Sequence, residues 1–235
     1  MVTYETLQQC IQPVIFRTGI EEAPVTVWGT GFTLGTAKRV FFVSARHVVN
    51  GSNPDDICVL SPAGKLVPIK DSYILPPSIS TDDWADVVIH EVPIVQGVAQ
   101  APDLRMIHLG MAGGPWKDDA AASDFFVVGF PREQTGVNYD VNEVYGSLVE
   151  LRGAYAGPAT TDGFTHRLTI SDSLGLSTFA GLSGSPVLMR KRAIGVLDHF
   201  VLAGMAIQGT PQAQSVLFVD RDVITSLSES KRRFE

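Results

Sequence analysis

The sequence contains few cysteines, few charged residues and no long apolar run. The 235 residues include only two cysteines, Cys10 and Cys58. Neither belongs to a C-x-x-C pair, so the thiols do not predict a zinc site. Whether they form a disulfide is left open. No apolar run approaches the roughly 20 residues of a membrane-spanning helix. The N-terminus lacks a basic segment followed by an apolar one, so we expect no signal peptide and a cytoplasmic location.

Positive charge is also scarce, and this argues against nucleic-acid binding. The formal net charge is −7, whereas phosphate binding requires clustered Lys and Arg. The basic cluster at residues 231–233 lies beside Glu229 and Glu235 and is interpreted as a solvated terminus. Apolar residues make up 45% of the chain, enough for a sizeable core. We therefore expect a folded protein with neither a nucleic-acid nor a membrane partner.

Short segments rich in Val, Ile and Phe alternate with turn residues, which predicts antiparallel β structure. One helix is predicted near the C-terminus, where Asp220 can cap and Val223, Ile224 and Leu227 share a face. The segment 110–123 is rich in Gly, Ala and charge and predicts a boundary between lobes at 1–112 and 113–235. The predicted strands are 24–28, 31–34, 40–43, 57–60, 87–92, 125–128, 144–151, 164–170, 187–189, 194–197 and 216–219.

The stretch FAGLSGSPVL at residues 179–188 contains Ser183 and Ser185 among small residues. A serine hydroxyl is a weak nucleophile until a base takes its proton, and the base is usually oriented by a third group. His47 lies just past the end of the apolar segment 40–43, and Asp86 directly precedes another apolar segment. A structural histidine and a turn-capping aspartate are the alternative interpretations of these two residues.

The order of these residues along the chain narrows the choice of hydrolase. The α/β-hydrolase elbow requires G-x-S-x-G followed by an acid and a histidine, but Ser185 replaces the last glycine here. The subtilisin order requires an aspartate before the histidine, and the first aspartate is Asp55. The order that remains is His47, Asp86, Ser183.

Three motifs in this order resemble the chymotrypsin-like (trypsin-like) serine proteases, and bacterial trypsin-like peptidase domains most closely. Residues 44–48 (SARHV) resemble T-A-A-H-C, and residues 86–89 (DVVI) resemble D-I-A-L. Residues 181–186 (GLSGSP) resemble G-D-S-G-G-P and the bacterial G-N-S-G-S-P. Residues 29–32 (GTGF) and 126–131 (FVVGFP) resemble two further strands of the bacterial relatives.

The resemblance implies an all-β fold of two six-stranded antiparallel β-barrels with a short C-terminal helix and a cleft between the barrels. It implies a serine endopeptidase with Ser183 as nucleophile, His47 as base and Asp86 as the group that orients it. The Gly181 and Ser183 amides would form the oxyanion hole, and Ser185 would be a bystander. Peptides or proteins would be the substrates, with no metal and no cofactor.

One departure from the family concerns activation. The acid that precedes the nucleophile in G-D-S-G-G-P is Leu182 here. In the digestive members that acid pairs with a newly cut N-terminus. We therefore expect no activation by N-terminal insertion, and we expect intrinsic activity or control by a regulatory partner protein.

The resemblance also places the specificity pocket. Ser177 would form its floor, and this neutral residue argues against a basic P1 side chain. Residues 194–200 would form one wall, with Phe200 narrowing the entrance. His199 leaves glutamyl specificity open, although a structural histidine is favoured. Asp198 would lie near the triad carboxylate and repel it unless it points away or is protonated.

Two other functions remain open at this point. A catalytically weak pseudo-protease could use the same cleft as a binding module, and an esterase or acyl transferase could use the same triad. The remaining histidines are interpreted as structural, with His90 facing outward on its strand, His108 near the end of a lobe and His166 beside Arg167.

Overall fold

The computed structural model describes residues 7–37, 39–61, 64–75, 83–93, 105–109, 115–191 and 199–229, and strands dominate these ranges. The strands are β1 (Ile11–Ile20), β2 (Ala23–Gly35), β3 (Val40–Ala45), β4 (Ile57–Leu60), β5 (Leu66–Pro68), β6 (Asp71–Ile74), β7 (Val87–Val92), β8 (Ile107–His108), β9 (Asp124–Gly129), β10 (Thr135–Asn138), β11 (Glu143–Gly146), β12 (Val149–Pro158), β13 (Thr165–Ile170), β14 (Pro186–Lys191), β15 (His199–Thr210) and β16 (Ser215–Asp220). The α-helices are α1 (Arg46–Val49) and α2 (Arg221–Glu229). Short 3-10 helices occur at Pro54–Asp56, Asp83–Ala85, Lys117–Ala122 and Arg132–Gln134.

The N-terminal lobe is one curved sheet. Its strand order is β5-β4-β1-β2-β3-β7-β6, and β8 pairs in parallel with β2. All six residues of β3 are buried, which explains its continuous apolar sequence because a strand covered on both faces needs no polar alternation. The central position of β3 and β7 fixes the two strand ends from which His47 and Asp86 project.

The C-terminal lobe is a closed barrel of six strands. They follow the order β12-β13-β16-β15-β14-β9. Closure leaves the barrel without free edges, and aromatic side chains including Trp116, Phe125 and Phe218 fill its interior. The barrel is therefore a rigid support for the loop between β13 and β14, which contains Ser183.

The predicted all-β class, the six-stranded C-terminal barrel and the short C-terminal helix are confirmed. In detail the N-terminal sheet differs from a six-stranded barrel, because it has eight strands and its pairing does not close within the described residues. Without the short strands β5 and β8, this sheet would have six strands. The predicted boundary between residues 112 and 113 and the predicted strand 194–197 lie outside the described ranges.

Helix α2 begins where the sequence predicts. The Asp220 carboxylate accepts a hydrogen bond from the Asp222 amide at 2.9 Å, as an N-cap aspartate does. Val223, Ile224 and Leu227 are buried in a cluster that also contains core residues of both lobes. Helix α2 therefore packs against core residues of both lobes. In the described ranges, no helix has the length and apolarity needed to cross a bilayer.

The lobes meet where β2 approaches the loop that precedes β14. The pairing of β1 with β2 matches Thr30 with Pro13 and Trp28 with Val14, so Gly29 is the extra residue of a β-bulge. Its φ of +59° is a conformation that glycine adopts readily. The bulge brings Thr30 against Gly184, where a Cβ atom added to the glycine would lie 1.9 Å from the Thr30 carbonyl oxygen.

We predict that Gly184→Ala destabilises the protein more than Gly51→Ala. Both glycines have positive φ, +90° and +84°, so both substitutions should cost roughly 1–2 kcal/mol of backbone strain. Only Gly184 faces a neighbouring backbone, since nothing lies within 4 Å of a Cβ atom at Gly51. The clash should add at least about 2 kcal/mol. Urea unfolding of both variants measures the difference, and equal losses would contradict the close contact between the lobes.

Candidate active site

Two adjacent strands bring His47 and Asp86 together. The register of β3 and β7 matches Ala45 with Val87, so Arg46 and Asp86 are neighbours, and His47, the next residue in α1, lies beside the Asp86 carboxylate. The His47 Nδ1 atom lies 2.5 Å from Asp86 Oδ2, and the His47 amide donates to Asp86 Oδ1 at 2.8 Å. The Arg46 amide also donates to the Asp86 carbonyl at 3.2 Å. The carboxylate therefore fixes both the ring and the backbone of the histidine.

The contact with Asp86 raises the pKa of His47 above 6.5. The hydrogen bond from the ring to the carboxylate is the largest cause, partial burial opposes it, and the negative charge of Asp86 adds to it. A carboxylate on Nδ1 holds the hydrogen of the neutral ring at that nitrogen. The Nε2 atom is then an acceptor, which is the form that a general base requires.

Ser183 lies where two tight turns overlap. The turns span residues 179–182 and 182–185, and each is closed by a hydrogen bond from its last amide to its first carbonyl, at 3.1 and 3.0 Å. Each has a glycine with positive φ at its third position, Gly181 at +92° and Gly184 at +90°. This is the pattern of a type II turn. The glycines of the motif are therefore required by the backbone path, and they leave Ser183 at the apex.

The same turns leave two amides without a protein acceptor. The Ala180 carbonyl accepts from the Arg132 amide at 2.8 Å, and the Leu182 carbonyl accepts within the second turn. Peptides in the described residues are trans, so the N–H group of each peptide points opposite to its carbonyl. The N–H groups concerned belong to Gly181 and Ser183, and neither donates to another group in the described part of the chain. Two hydrogen-bond donors therefore flank the Ser183 side chain.

His47 and Ser183 line one cleft of about 660 Å³. The Ser183 hydroxyl donates to the Ile207 carbonyl at 3.1 Å, and within the described ranges it makes no hydrogen bond to His47. Ile207 is the extra residue of a bulge in β15, which turns its carbonyl out of the strand ladder. The other lining residues are Arg46, Asn50, Asp83, Ala85, Asp86, Thr178, Phe179, Ala180, Gln208 and Gly209.

Neither of the two predicted substrate-binding residues is among the described residues that line this cleft. Ser177 is exposed, and its hydroxyl and amide bind the Glu133 carboxylate at 2.5 and 3.3 Å. Phe200 lies near the start of β15, where it is paired with Arg190 of β14 in the sheet. The centroid of its ring lies 5.7 Å from that of Phe126. Its ring packs against the core, so it cannot narrow a pocket entrance beside Ser183.

The other end of β15 forms the cleft wall that residues 194–200 were expected to form. Ile207, Gln208 and Gly209 lie beside Ser183, and sequence reasoning did not select them. Residues 194–198, including Asp198, lie outside the described ranges. The available signal was a second stretch of apolar and small residues ending in glycine, GMAIQG at 204–209.

The other polar pairs that include a histidine lie in the protein core. His90 was predicted to face outward but is buried, because β6 covers it, and the Ser72 hydroxyl lies 2.8 Å from its Nδ1 atom. Burial lowers the pKa of His90 to about 3. His166 lies 3.1 Å from the buried Asp220 carboxylate and 3.0 Å from the Tyr155 hydroxyl. These contacts pack the core and are not at the cleft.

Ser185 also has no contact with the cleft. It is fully buried, and its hydroxyl fills the space where a Cβ atom on Gly129 would lie. Among the described residues, no cluster of three or more His, Cys, Asp or Glu could hold a metal ion. The cleft brings together His47, Asp86 and Ser183, with the Gly181 and Ser183 amides in the adjoining loop.

Comparison with known proteins gives similarity at the level of structure. No protein-family model matches the chain. The curated proteins likewise give no match.

Two similar structures are inactivated protease paralogues of the scabies mite, and a third is a bacterial protease. Paralogue S-I1 is 16% identical, with a TM-score of 0.56 over 96% of this chain and 95% of that one. Paralogue S-D1 is 15% identical, with a TM-score of 0.56 over 97% and 96%. The Rv3671c protease of M. tuberculosis, in its active form, is 16% identical, with a TM-score of 0.53 over 98% and 84%. The chain therefore has the chymotrypsin-like serine protease fold.

Proposed function

We propose that the protein is a serine endopeptidase in which Ser183 attacks the peptide carbonyl. One observation carries the proposal: the His47–Asp86 pair and Ser183 line the same cleft, although they come from different lobes. A histidine oriented by a carboxylate is how a serine hydroxyl is activated. The fold supports the proposal because it is the fold of known serine proteases.

The first step moves the Ser183 hydroxyl from Ile207 to His47. The Nδ1 atom of His47 is held by Asp86, so Nε2 is the nitrogen that accepts the hydroxyl proton. The serine oxygen then bonds to the carbonyl carbon, and the protonated histidine gives the same proton to the leaving amine. Water repeats the sequence on the acyl-enzyme and releases the second product. Asp86 stabilises the imidazolium while it exists.

The Gly181 and Ser183 amides would bind the oxyanion that forms in these steps. Both lack a protein acceptor, and the carbonyls opposite to them are hydrogen-bonded. Donors held in place before the reaction stabilise developing charge without reorganisation, and losing one typically costs about 3 kcal/mol. This explains why the loop is built from two rigid turns.

A catalytically weak binding protein is the second candidate. The observation that favours it is the Ser183 hydrogen bond to Ile207, which leaves the hydroxyl turned away from His47. Two of the structural neighbours are described as inactivated paralogues. Catalytic hydrogen bonds are often incomplete without substrate, so this contact alone does not decide between the candidates.

Labelling with a fluorophosphonate probe separates the two candidates. Wild-type protein should be labelled at Ser183, and Ser183→Ala should abolish labelling. His47→Ala should slow it by roughly 10⁶-fold because the hydroxyl loses its base. Ser185→Ala is the matched control and should label at the wild-type rate, since that buried serine has no contact with the cleft. Folded wild-type protein that resists the probe would exclude the endopeptidase and favour the binding protein.

The labelling rate should rise with pH through a midpoint above 6.5. Only neutral His47 can accept the proton, and its pKa is raised above that value by Asp86. Asp86→Asn removes the hydrogen-bonded charge but leaves the burial that lowers the pKa. Its midpoint should therefore fall to lower pH, and its maximal rate should drop by roughly 10⁴-fold.

Asp83→Asn is the control for this pH profile. Asp83 is an exposed carboxylate of the same cleft, so the variant should keep a midpoint close to that of the wild type. Rates measured from pH 5 to 9 give all three midpoints. A wild-type midpoint below 6.5, or the same midpoint in Asp86→Asn, would contradict the role of the pair.

A further inference from the structure

Thr30 makes two hydrogen bonds to the loop between β13 and β14 that contains Ser183 (the nucleophile loop). No sequence motif predicts them. The Thr30 hydroxyl donates to the Gly181 carbonyl at 2.7 Å and accepts from the Phe130 amide at 2.8 Å. Its own amide donates to the Ser183 carbonyl at 2.9 Å. The Thr30 carbonyl accepts from the Ser44 hydroxyl at 2.8 Å. One fully buried residue of the N-terminal lobe thus contacts both turns around the nucleophile.

The local sequence explains why Thr30 can make these bonds. Thr30 lies opposite Pro13 in the β1–β2 ladder, and a proline has no N–H group to offer the Thr30 carbonyl. The bulge at Gly29 interrupts the ladder at this point, so the Thr30 amide turns to the other lobe. The hydroxyl is enclosed between Gly181 and Phe130, and both its donor and its acceptor capacity are used.

These bonds fix peptide planes on both sides of the free amides. The plane between Gly181 and Leu182 is held by Thr30 at its carbonyl and by the turn bond at its amide. The plane after Ser183 is held by the Thr30 amide at its carbonyl and by the bond from Gly184 to Ala206 at 2.8 Å. A flip of either plane would break two hydrogen bonds at once. The loop is therefore held in the conformation that leaves the amides of Gly181 and Ser183 free.

The residue between these two amides cannot hold the loop through a charge. Leu182 is apolar, and it is buried in the core of the C-terminal barrel. An apolar side chain anchors the loop by packing, which restrains its position more than the orientation of its peptides. Hydrogen bonds have directional preferences, and Thr30 supplies them at the required carbonyls.

We propose that Thr30 is a positioning residue that keeps the Gly181 and Ser183 amides ready to bind the oxyanion, in the role that an ion pair with an N-terminus plays in zymogen-derived members of this fold. The inference rests on the proposed function of the same site. It makes the active loop conformation a property of the contact between the lobes. A change in that contact would change kcat without a change in the triad.

The test compares Thr30→Val with Thr30→Ser. Valine keeps the shape but removes the hydroxyl, so Gly181 loses a donor and Phe130 loses an acceptor. With a cleavable peptide, kcat should fall by roughly 10- to 100-fold while KM changes by less than about threefold, because misplaced donors affect the transition state most. Serine keeps the hydroxyl and should return kcat to within about threefold of the wild type.

Thr33→Val is the matched control on the same strand. Thr33 is also fully buried in β2, and its hydroxyl has no hydrogen-bond partner among the described residues. The substitution should leave kcat, KM and stability close to those of the wild type, since it breaks no hydrogen bond. A loss of kcat in this variant as large as in Thr30→Val would overturn the assignment to Thr30.

Amide hydrogen exchange tests the clamp without relying on catalysis. In Thr30→Val the Leu182 amide should exchange at least about tenfold faster, because its peptide has lost one of two restraints. Thr30→Ser and Thr33→Val should show wild-type exchange across residues 179–185. Unchanged exchange with unchanged kcat in Thr30→Val would overturn the proposal, as would an activity loss that serine does not restore. If the wild type fails to react with the probe, the proposed function fails, and exchange alone decides whether Thr30 orders the loop.

Discussion

The contact between Thr30 and the nucleophile loop is the interaction on which the site depends. The proposed base and acid, His47 and Asp86, belong to one lobe and the proposed nucleophile, Ser183, to the other, so the proposed mechanism requires a fixed relation between the lobes. Thr30 connects the two lobes through two hydrogen bonds. Its amide donates to the Ser183 carbonyl at 2.9 Å, and its hydroxyl donates to the Gly181 carbonyl at 2.7 Å. Gly184 allows the approach, because any Cβ atom there would collide with the Thr30 backbone. Helix α2 adds apolar packing across both lobes but does not orient the peptides of the loop.

Two β-bulges lie beside Ser183, one in each lobe. The bulge at Gly29 releases the Thr30 amide, which then binds the Ser183 carbonyl. The bulge at Ile207 releases a carbonyl that accepts the Ser183 hydroxyl in the absence of substrate. A bulge redirects polar groups that a regular ladder would use internally. The Ser183 hydroxyl is thus hydrogen-bonded to one bulge, while the Ser183 carbonyl is hydrogen-bonded beside the other.

The sequence predicted those parts of the site that depend on neighbours in the chain. The glycines around Ser183 mark two turns, and His47 and Asp86 are placed near the ends of two buried strands, so local patterns were enough to name these residues as candidates. The six-stranded barrel was implied by the resemblance to the chymotrypsin-like proteases. The cleft-lining residues of β15 depend on a strand register that a bulge shifts, so the GMAIQG stretch at 204–209 indicates a strand but does not reveal which of its residues reach the cleft. Ser177 was assigned to the pocket by its distance from Ser183 in the chain, but its partner Glu133 lies 44 residues away. Thr30 was missed for the same reason, since its contact with Gly181 spans 151 residues.

The central claim is that the cleft hydrolyses peptide bonds with Ser183 as nucleophile. The most direct measurement is mass spectrometry of a diverse peptide library after incubation with wild-type protein and with Ser183→Ala. We expect the wild type to cut at a recurrent residue pattern and the variant to produce no cuts above background. The same data would give the P1 preference. Because Ser177 does not line the cleft, we expect lining residues such as Thr178 and Gly209 to set this preference. Equal product patterns from both proteins, or no cleavage by folded wild-type protein, would contradict peptide-bond hydrolysis by Ser183.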